Sequence, residues 1–281
     1  MNKITLMDGA VGTSLWAKAE SKGIAKVPVW KYNIDAPEIV EELAKEYIAA
    51  GSQMILTNTF GANAPSVKRS SDYNPDDIVR NGVKITKKAV EGTDVKVVLA
   101  AGPLSVLLEP YGDLEGDEAR EIYQQLIGVG MEEKPDMILL QTFMDIEMMR
   151  IAAEVAKQYS VPVLCSMTFE QKGKTMMGNS VDDVIEKLSP LGIDGVGINC
   201  SLGPDLALPV IKEFKEKTDI PLIFKPNAGK PIMGADGSVV SDYTAEMFAK
   251  EVEPALEFCN YVGGCCGCDP TYIAAIKKLL K

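Results

Sequence analysis

The 281-residue chain contains no histidine. That absence removes Ser-His-Asp and Cys-His nucleophile pairs, histidine-ligated zinc and histidine general bases. Proton chemistry is left to Asp, Glu, Lys, Tyr, Cys or water. Positive charge is in deficit: 29 Lys and Arg stand against 40 Asp and Glu, a net charge of −11. Such a balance argues against nucleic acid or an anionic membrane surface as a partner. No apolar run reaches the ~18 residues of a membrane span. Met1-Asn2-Lys3 leads into a short strand-like run rather than the apolar stretch of a signal peptide, so the expected location is cytoplasmic. Six cysteines are too sparse for a disulfide scaffold in a chain of this length. No Gly-x-Gly-x-x-Gly loop follows the first strand-like run, which counts against a doubly wound dinucleotide fold.

What is present is a repeating α/β pattern. Short apolar or β-branched runs predict strands at 4–7, 54–59, 96–101, 137–142, 161–168, 195–200, 221–225 and 259–263. Several are almost continuously hydrophobic, as parallel strands covered by helices are. Helical spacing predicts helices at 37–50, 76–90, 117–131, 146–158, 181–188, 205–217, 244–258 and 270–280. Eight strand–helix units of about 35 residues are the size of a (β/α)8 TIM barrel. The chain therefore reads as one barrel domain over 1–281. The stretches 17–35 and 229–243 read as long strand-to-helix loops, on the side of a barrel where active sites form.

The unusual residues fall at strand C-terminal ends, which a closed barrel gathers on one rim. They are Asp8-Gly9-Ala10-Val11-Gly12-Thr13, Thr57 to Asn63, Gln141 to Asp145, Gly197 to Ser201, Lys225 to Gly229 and Gly263 to Cys268. Three thiols on neighbouring strand ends make a tetrahedral zinc site with one open position. Gly263, Gly264 and Gly267 would give adjacent cysteines the backbone freedom to face one ion. A metal-coordinated thiol is deprotonated at neutral pH, so an incoming substrate thiol would need no histidine base. Each residue also has a plainer reading. Cys200 alone reads equally well as core, Cys165 and Cys259 read as packing residues, and Cys268 is either a spare rim thiol or an alternative ligand. Asp8 can cap a helix, and Asn58 and Asn63 can satisfy turn backbone.

The motifs Asp-Gly-Ala-Val-Gly-Thr (8–13), Thr-Asn-Thr-Phe-Gly-Ala-Asn (57–63), Gly-Ile-Asn-Cys (197–200), Pro-Asn-Ala-Gly (226–229) and Gly-Gly-Cys-Cys-Gly (263–267) together resemble the homocysteine S-methyltransferase family. The resemblance is strongest to the homocysteine-binding module of cobalamin-dependent methionine synthase, and it runs from residue 8 to about 270. It implies a (β/α)8 barrel with a zinc site on the C-terminal rim of the strands. By resemblance, Cys200, Cys265 and Cys266 are the zinc ligands and the catalytic centre, and Asn227 is the resting-state fourth ligand. Gly9, Ala10, Gly12 and Thr13 resemble a backbone cradle for the substrate carboxylate. Asp8 and Gln141 resemble the pair that handles an ammonium, and Asn58 and Asn199 fall in motifs of the substrate site. The implied activity is S-methylation of a small-molecule thiol, homocysteine in the first instance, giving methionine.

Two departures matter. The family has Glu-Thr at the end of strand 4, where this chain has Gln141-Thr142. The loss of that charge leaves a non-homocysteine thiol, or a thiol-binding module acting with a corrinoid partner, as the alternative. The chain also ends at Lys281, without a folate or cobalamin domain. The methyl donor is therefore expected from outside: a separate methyl-corrinoid protein, S-methylmethionine or betaine.

Overall fold

The computed structural model describes residues 3–229 and 243–280 and, between them, the backbone of 232–233 and 239–240. Eight parallel strands form the barrel: β1 (Thr5–Leu6), β2 (Met54–Leu56), β3 (Lys96–Ala101), β4 (Met137–Phe143), β5 (Val163–Met167), β6 (Gly195–Asn199), β7 (Leu222–Lys225) and, last in the chain, β10 (Tyr261–Val262). Their order is β1-β10-β7-β6-β5-β4-β3-β2. Closure comes from a parallel bridge between Met7 and Met54 and from the Gln53 N–H donating to the Leu6 carbonyl at 2.7 Å. The intervening β8 (Ile232–Met233) and β9 (Val239–Val240) pair antiparallel within the stretch read as a loop at 229–243, much of which lies outside the described residues.

The continuous apolar runs are explained by alternation between two cores. Met7, Met54, Leu56, Val98, Ala100, Leu139, Leu164 and Ile223 fill the barrel interior. Their strand neighbours, among them Ile55, Leu99, Leu140 and Phe224, pack outward into the helical shell. Both faces of each strand are thus buried.

The shell consists of α1 (Gly12–Ser21), α2 (Tyr32–Asp35), α3 (Pro37–Ala50), α4 (Ala64–Ser70), α5 (Pro75–Val90), α6 (Gly116–Glu132), α7 (Ile146–Ala156), α8 (Val181–Leu188), α9 (Pro204–Lys217), α10 (Ala245–Val252) and α11 (Pro270–Leu279). Local chemistry sets several boundaries. Helix α8 opens with a capping box between Ser180 and Asp183. Helix α3 has Pro37 in its first turn and ends at Gly51, which adopts φ +106° as a left-handed cap. Two expectations are corrected. Residues 17–21 are the end of α1 rather than loop; its buried Leu15 and Ala19 are spaced one turn apart. The helix expected over 244–258 stops at Val252 and continues as a 3-10 turn, because Pro254 has no N–H to donate.

Candidate metal centre

The ends of β6, β7, β10 and β1 are joined by backbone hydrogen bonds. Cys200 N–H donates to the Lys225 carbonyl (3.1 Å), Cys265 N–H to Pro226 (2.8 Å), Ala228 N–H to Cys266 (3.0 Å), Gly264 N–H to Asp8 (3.1 Å) and Ala10 N–H to Cys268 (2.8 Å). This stitching brings the sulfurs of Cys200, Cys265 and Cys266 within 4.8 Å of one another. Cys200 and Cys266 are 3.7 Å apart and not bonded. Three sulfurs on a tetrahedral ion at ~2.3 Å stand roughly 3.8 Å apart. Cys266 is exposed, while Cys200 and Cys265 are half-buried, so the cluster opens to solvent on one side.

Asn227 lies beside the Cys200 thiol and is mostly buried. Among the described residues its Oδ1 is the one buried side-chain polar atom without a hydrogen-bond partner. An orphaned buried oxygen is rare and points to an unfilled role. With the three sulfurs, the amide oxygen next to Cys200 makes a donor set of four, which fits a metal ion.

The sulfurs share charge. Hydrogen bonds from the Cys265 and Cys266 thiols hold Cys200 far below the usual thiol range. The Cys200 charge in turn raises Cys265, and it raises Cys266 to about 11. The remaining cysteines are of another kind. Cys268 is buried, its thiol reaches the Pro226 carbonyl at 3.7 Å, and burial raises it. Cys165 is raised by burial, and burial pushes Cys259 up to about 12.

Three backbone outliers surround the cluster: Cys200 (φ +62°), Ser201 (φ +57°) and Thr142 (φ +66°). Left-handed non-glycine residues cost about 1–3 kcal/mol each and persist only when their surroundings hold them. Asn199 holds Thr142. Its Oδ1 accepts from Thr142 N–H (2.8 Å) and Ser166 Oγ (2.6 Å). Its Nδ2 donates to Thr142 Oγ1 (2.7 Å) and towards Cys265 Sγ (3.6 Å). Every polar position of this amide is used by the protein, so Asn199 positions the rim rather than offering a free group to a substrate.

Two other residues assigned to the substrate are also engaged internally. Asn58 donates to the Val29 carbonyl (2.7 Å) and to Asn33 Oδ1 (2.9 Å), which ties the end of β2 to α2 and the turn before it. Asp8 is fully buried: its Oδ1 is 2.6 Å from the Lys225 ammonium, and its Oδ2 accepts from Leu56 N–H at 2.8 Å. Lys225 entered the sequence analysis only as a strand end. The available signal was a lysine two residues after the inward-facing Ile223, in step with the barrel interior. The Gln141 side chain, by contrast, has no hydrogen bond to the protein among the described residues, and the residue is half-buried near the end of β4.

The loop at 9–13 leads straight into α1. No side chain caps this helix, and among the described residues the N–H groups of Val11, Gly12, Thr13 and Ser14 have no protein partner. Gly9 passes against the last strand's loop, where a Cβ would overlap the Cys268 carbonyl oxygen. Thr13 Oγ1 accepts from Gly267 N–H (3.3 Å). A cleft runs from the start of α1 past Trp16 to Asn227, Cys266 and Asp269. The glycine expectation is amended: only Gly267 has positive φ (+83°). At Gly263 and Gly264 a Cβ would overlap Asp8 O and the Cys268 side chain, so close approach requires them.

Comparison with known proteins gives this arrangement a lineage. A profile of homocysteine S-methyltransferases matches residues 5–280. The protein is therefore built on the (β/α)8 barrel of a family of methyltransferases. More narrowly, the chain belongs to the homocysteine S-methyltransferase family. It is 27% identical to methionine synthase of Mycobacterium tuberculosis over 98% of its own length, and it spans only 24% of that relative. It is 26% identical to betaine–homocysteine S-methyltransferase 1 of Mus musculus, over 93% of this chain and 69% of the relative. Its fold is that of the homocysteine methyltransferase MmuM of Escherichia coli in its metallated form, with a TM-score of 0.78 at 20% identity, covering 98% of this chain and 96% of the other. Among the described residues no helix is long and apolar enough to cross a membrane.

Proposed function

We propose that this chain, as one barrel domain, is a zinc-dependent thiol S-methyltransferase. The observation that carries the reading is the trio of sulfurs at Cys200, Cys265 and Cys266 with the orphaned Asn227 oxygen beside it. Three thiolates and one exchangeable neutral oxygen suit zinc, which is borderline soft and accepts several cysteine ligands. Bound there, zinc would act as a Lewis acid that lowers the pKa of a substrate thiol.

The chain's own residues supply the rest. Asn227 would offer such an ion a weak, neutral and exchangeable oxygen. Thr142 and Asn199 fix the Cys265 side of the rim. The free N–H groups at 11–14 and the positive end of α1 receive an acidic group of the substrate. The Gln141 amide, without a protein partner, contacts the part of the substrate near β4. The reaction balances simply. The thiol proton leaves to solvent, a sulfur lone pair forms the S–CH3 bond, and the donor keeps the electron pair of the broken methyl bond. The donor is an external onium compound of the S-methylmethionine or betaine type, or a methyl-corrinoid on another protein. Homocysteine is the thiol named for the relatives, and its product would be methionine.

The test is Cys266→Ser. Loss of stoichiometric zinc together with loss of methyl transfer is the expected result. Full turnover in a zinc-free variant would remove the reading. Assays with S-methylmethionine, betaine and free methylcobalamin, each without a partner protein, separate a self-sufficient enzyme from a module that needs a corrinoid protein.

A further inference from the structure

We propose that Lys225 is a positioning residue of the metal centre: its buried ammonium, tied to Asp8, pins the four-residue segment that holds the backbone of all three thiols and carries Asn227. The inference rests on the reading of the rim as a zinc centre. It names a residue that sets the geometry of the site without touching the ion.

The segment is residues 225–228, and each member meets one part of the donor set. The Lys225 carbonyl accepts from Cys200 N–H (3.1 Å), and the next carbonyl, that of Pro226, accepts from Cys265 N–H (2.8 Å). Asn227 carries the orphaned Oδ1. Ala228 N–H donates to the Cys266 carbonyl (3.0 Å). Four consecutive residues thus act as a template for cysteines that come from two separate strand ends. Pro226 stiffens it: the ring fixes its own φ and keeps Lys225 extended.

The Lys225 side chain anchors this template. It follows the inward-facing Ile223 by two residues, so its stem enters the barrel mouth. Its ammonium lies 2.6 Å from Asp8 Oδ1 and 3.1 Å from the Asp8 carbonyl oxygen, and both of its acceptors among the described residues are therefore on Asp8. That same carbonyl oxygen accepts from Gly264 N–H (3.1 Å). A Cβ on Gly263 would come within 2.6 Å of it. The Gly263–Gly264 step leading into Cys265 and Cys266 rests on the oxygen that Lys225 holds. Asp8 is fastened in turn by Leu56 N–H on its Oδ2 (2.8 Å), beside the bridge from Met7 to Met54 that closes the barrel. One side chain joins β7, β1, β2 and the approach to the Cys-Cys pair.

Stability alone is a poor account of such a pair. Among the described residues it is the one ion pair with both side chains buried, at 2% and 0% exposure. Desolvating two charges consumes most of what their attraction returns, and the best attested use of a buried pair is to fix one arrangement out of several. Here that arrangement is the relative placement of the strand ends that carry the thiols.

Metal affinity measured apart from stability decides the matter. The variant is Asp8→Asn/Lys225→Met, which removes both charges and strands neither. Zinc affinity is read by competition with a chelator, and the coordination of substituted cobalt(II) by its thiolate charge-transfer and d–d absorption. The expected result is a variant that unfolds cooperatively in urea yet binds zinc at least ~10-fold more weakly than the parent, the range for groups that orient a ligand, with shifted cobalt bands. Ile138→Ala, a truncation of a fully buried residue near the start of β4 and far from the rim, is the control for instability. It should lower the unfolding midpoint and leave zinc affinity and the cobalt spectrum as in the parent. Parent-like affinity and spectrum in the double variant overturn the inference and leave the methyltransferase reading intact. An equal loss of affinity in Ile138→Ala overturns it too, since the effect would then be one of general instability. A parent protein that binds no stoichiometric zinc overturns both. Asp8→Asn, which keeps the shape of the side chain and removes its charge, makes the same test should the double variant fail to fold: weaker zinc binding is expected, and unchanged binding refutes the assignment.

Discussion

Replacing Asn199 by alanine tests how the rim is held together. The amide is 1% exposed and makes three hydrogen bonds of 2.6–2.8 Å and one longer contact to Cys265 Sγ. Its loss leaves Ser166 Oγ, which is fully buried, without its partner. An orphaned buried group costs about 1–3 kcal/mol, and each remaining neutral hydrogen bond contributes about 1 kcal/mol net. Release of the strained Thr142 conformation returns part of this. The expected loss is about 2–4 kcal/mol of stability in the metal-free protein, read by urea unfolding. Because the amide also orients Cys265, metal affinity should fall 10–100-fold, the range typical of groups that orient a ligand, read by competition with a chelator. Asn199→Asp separates the two effects. It keeps both acceptor bonds, so stability falls less. It places a carboxylate against Cys265, so metal affinity falls at least as far. Stability within about 0.5 kcal/mol of the parent in Asn199→Ala, together with unchanged metal affinity, would refute the assigned role.

Further predictions concern the same rim. Lys225→Met strands the Asp8 carboxylate and should cost about 3–5 kcal/mol in unfolding, whereas the double variant Asp8→Asn/Lys225→Met should recover most of it, since removing both charges of a buried pair is far milder than removing one. Equal losses in the two would show that the ion pair is irrelevant. Gly9→Ala, whose Cβ would overlap a backbone oxygen, should lower stability by about 1–3 kcal/mol, while Gly12→Ala, facing open space, should leave unfolding within about 0.5 kcal/mol of the parent; melting curves of the two variants compare them directly. In chelator-stripped protein the depressed Cys200 thiol stays ionised as pH falls below neutral, so iodoacetamide should modify it at pH 6, and Cys266, raised to about 11, should react only in alkaline solution. Peptide mapping that finds the reverse order contradicts the shared charge of the trio.

Much of the architecture was legible in residue order because barrel units are local. Each strand and its following helix declare themselves through period-two and period-3.6 burial, and Asp, Ser and Gly caps mark the helix ends. Helix α1 was not anticipated, because its single buried pair, Leu15 and Ala19, is too short a pattern to stand out. Pro254 ended α10 early, and that signal was present but outweighed by the apolar spacing around it.

The sequence by itself determined the strand-end address of every reactive group: six cysteines, no histidine, and a lone Cys and a Cys-Cys pair at two strand ends of one rim. Parallel barrel topology makes such addresses converge, so the thiol cluster could be anticipated without knowing a distance. Only the tertiary structure decided which polar groups were left free. Asp8 and Lys225 are 217 positions apart and meet across the barrel interior. Asn199 and Thr142 meet across 57, and Gly264 owes its identity to the Cys268 side chain it touches. Buried donors and acceptors must be satisfied, and which partner satisfies each depends on the three-dimensional closeness of strands that are distant in the chain. A motif can therefore name the residues of a site, while the hydrogen-bond count around each of them decides which remain available to a substrate.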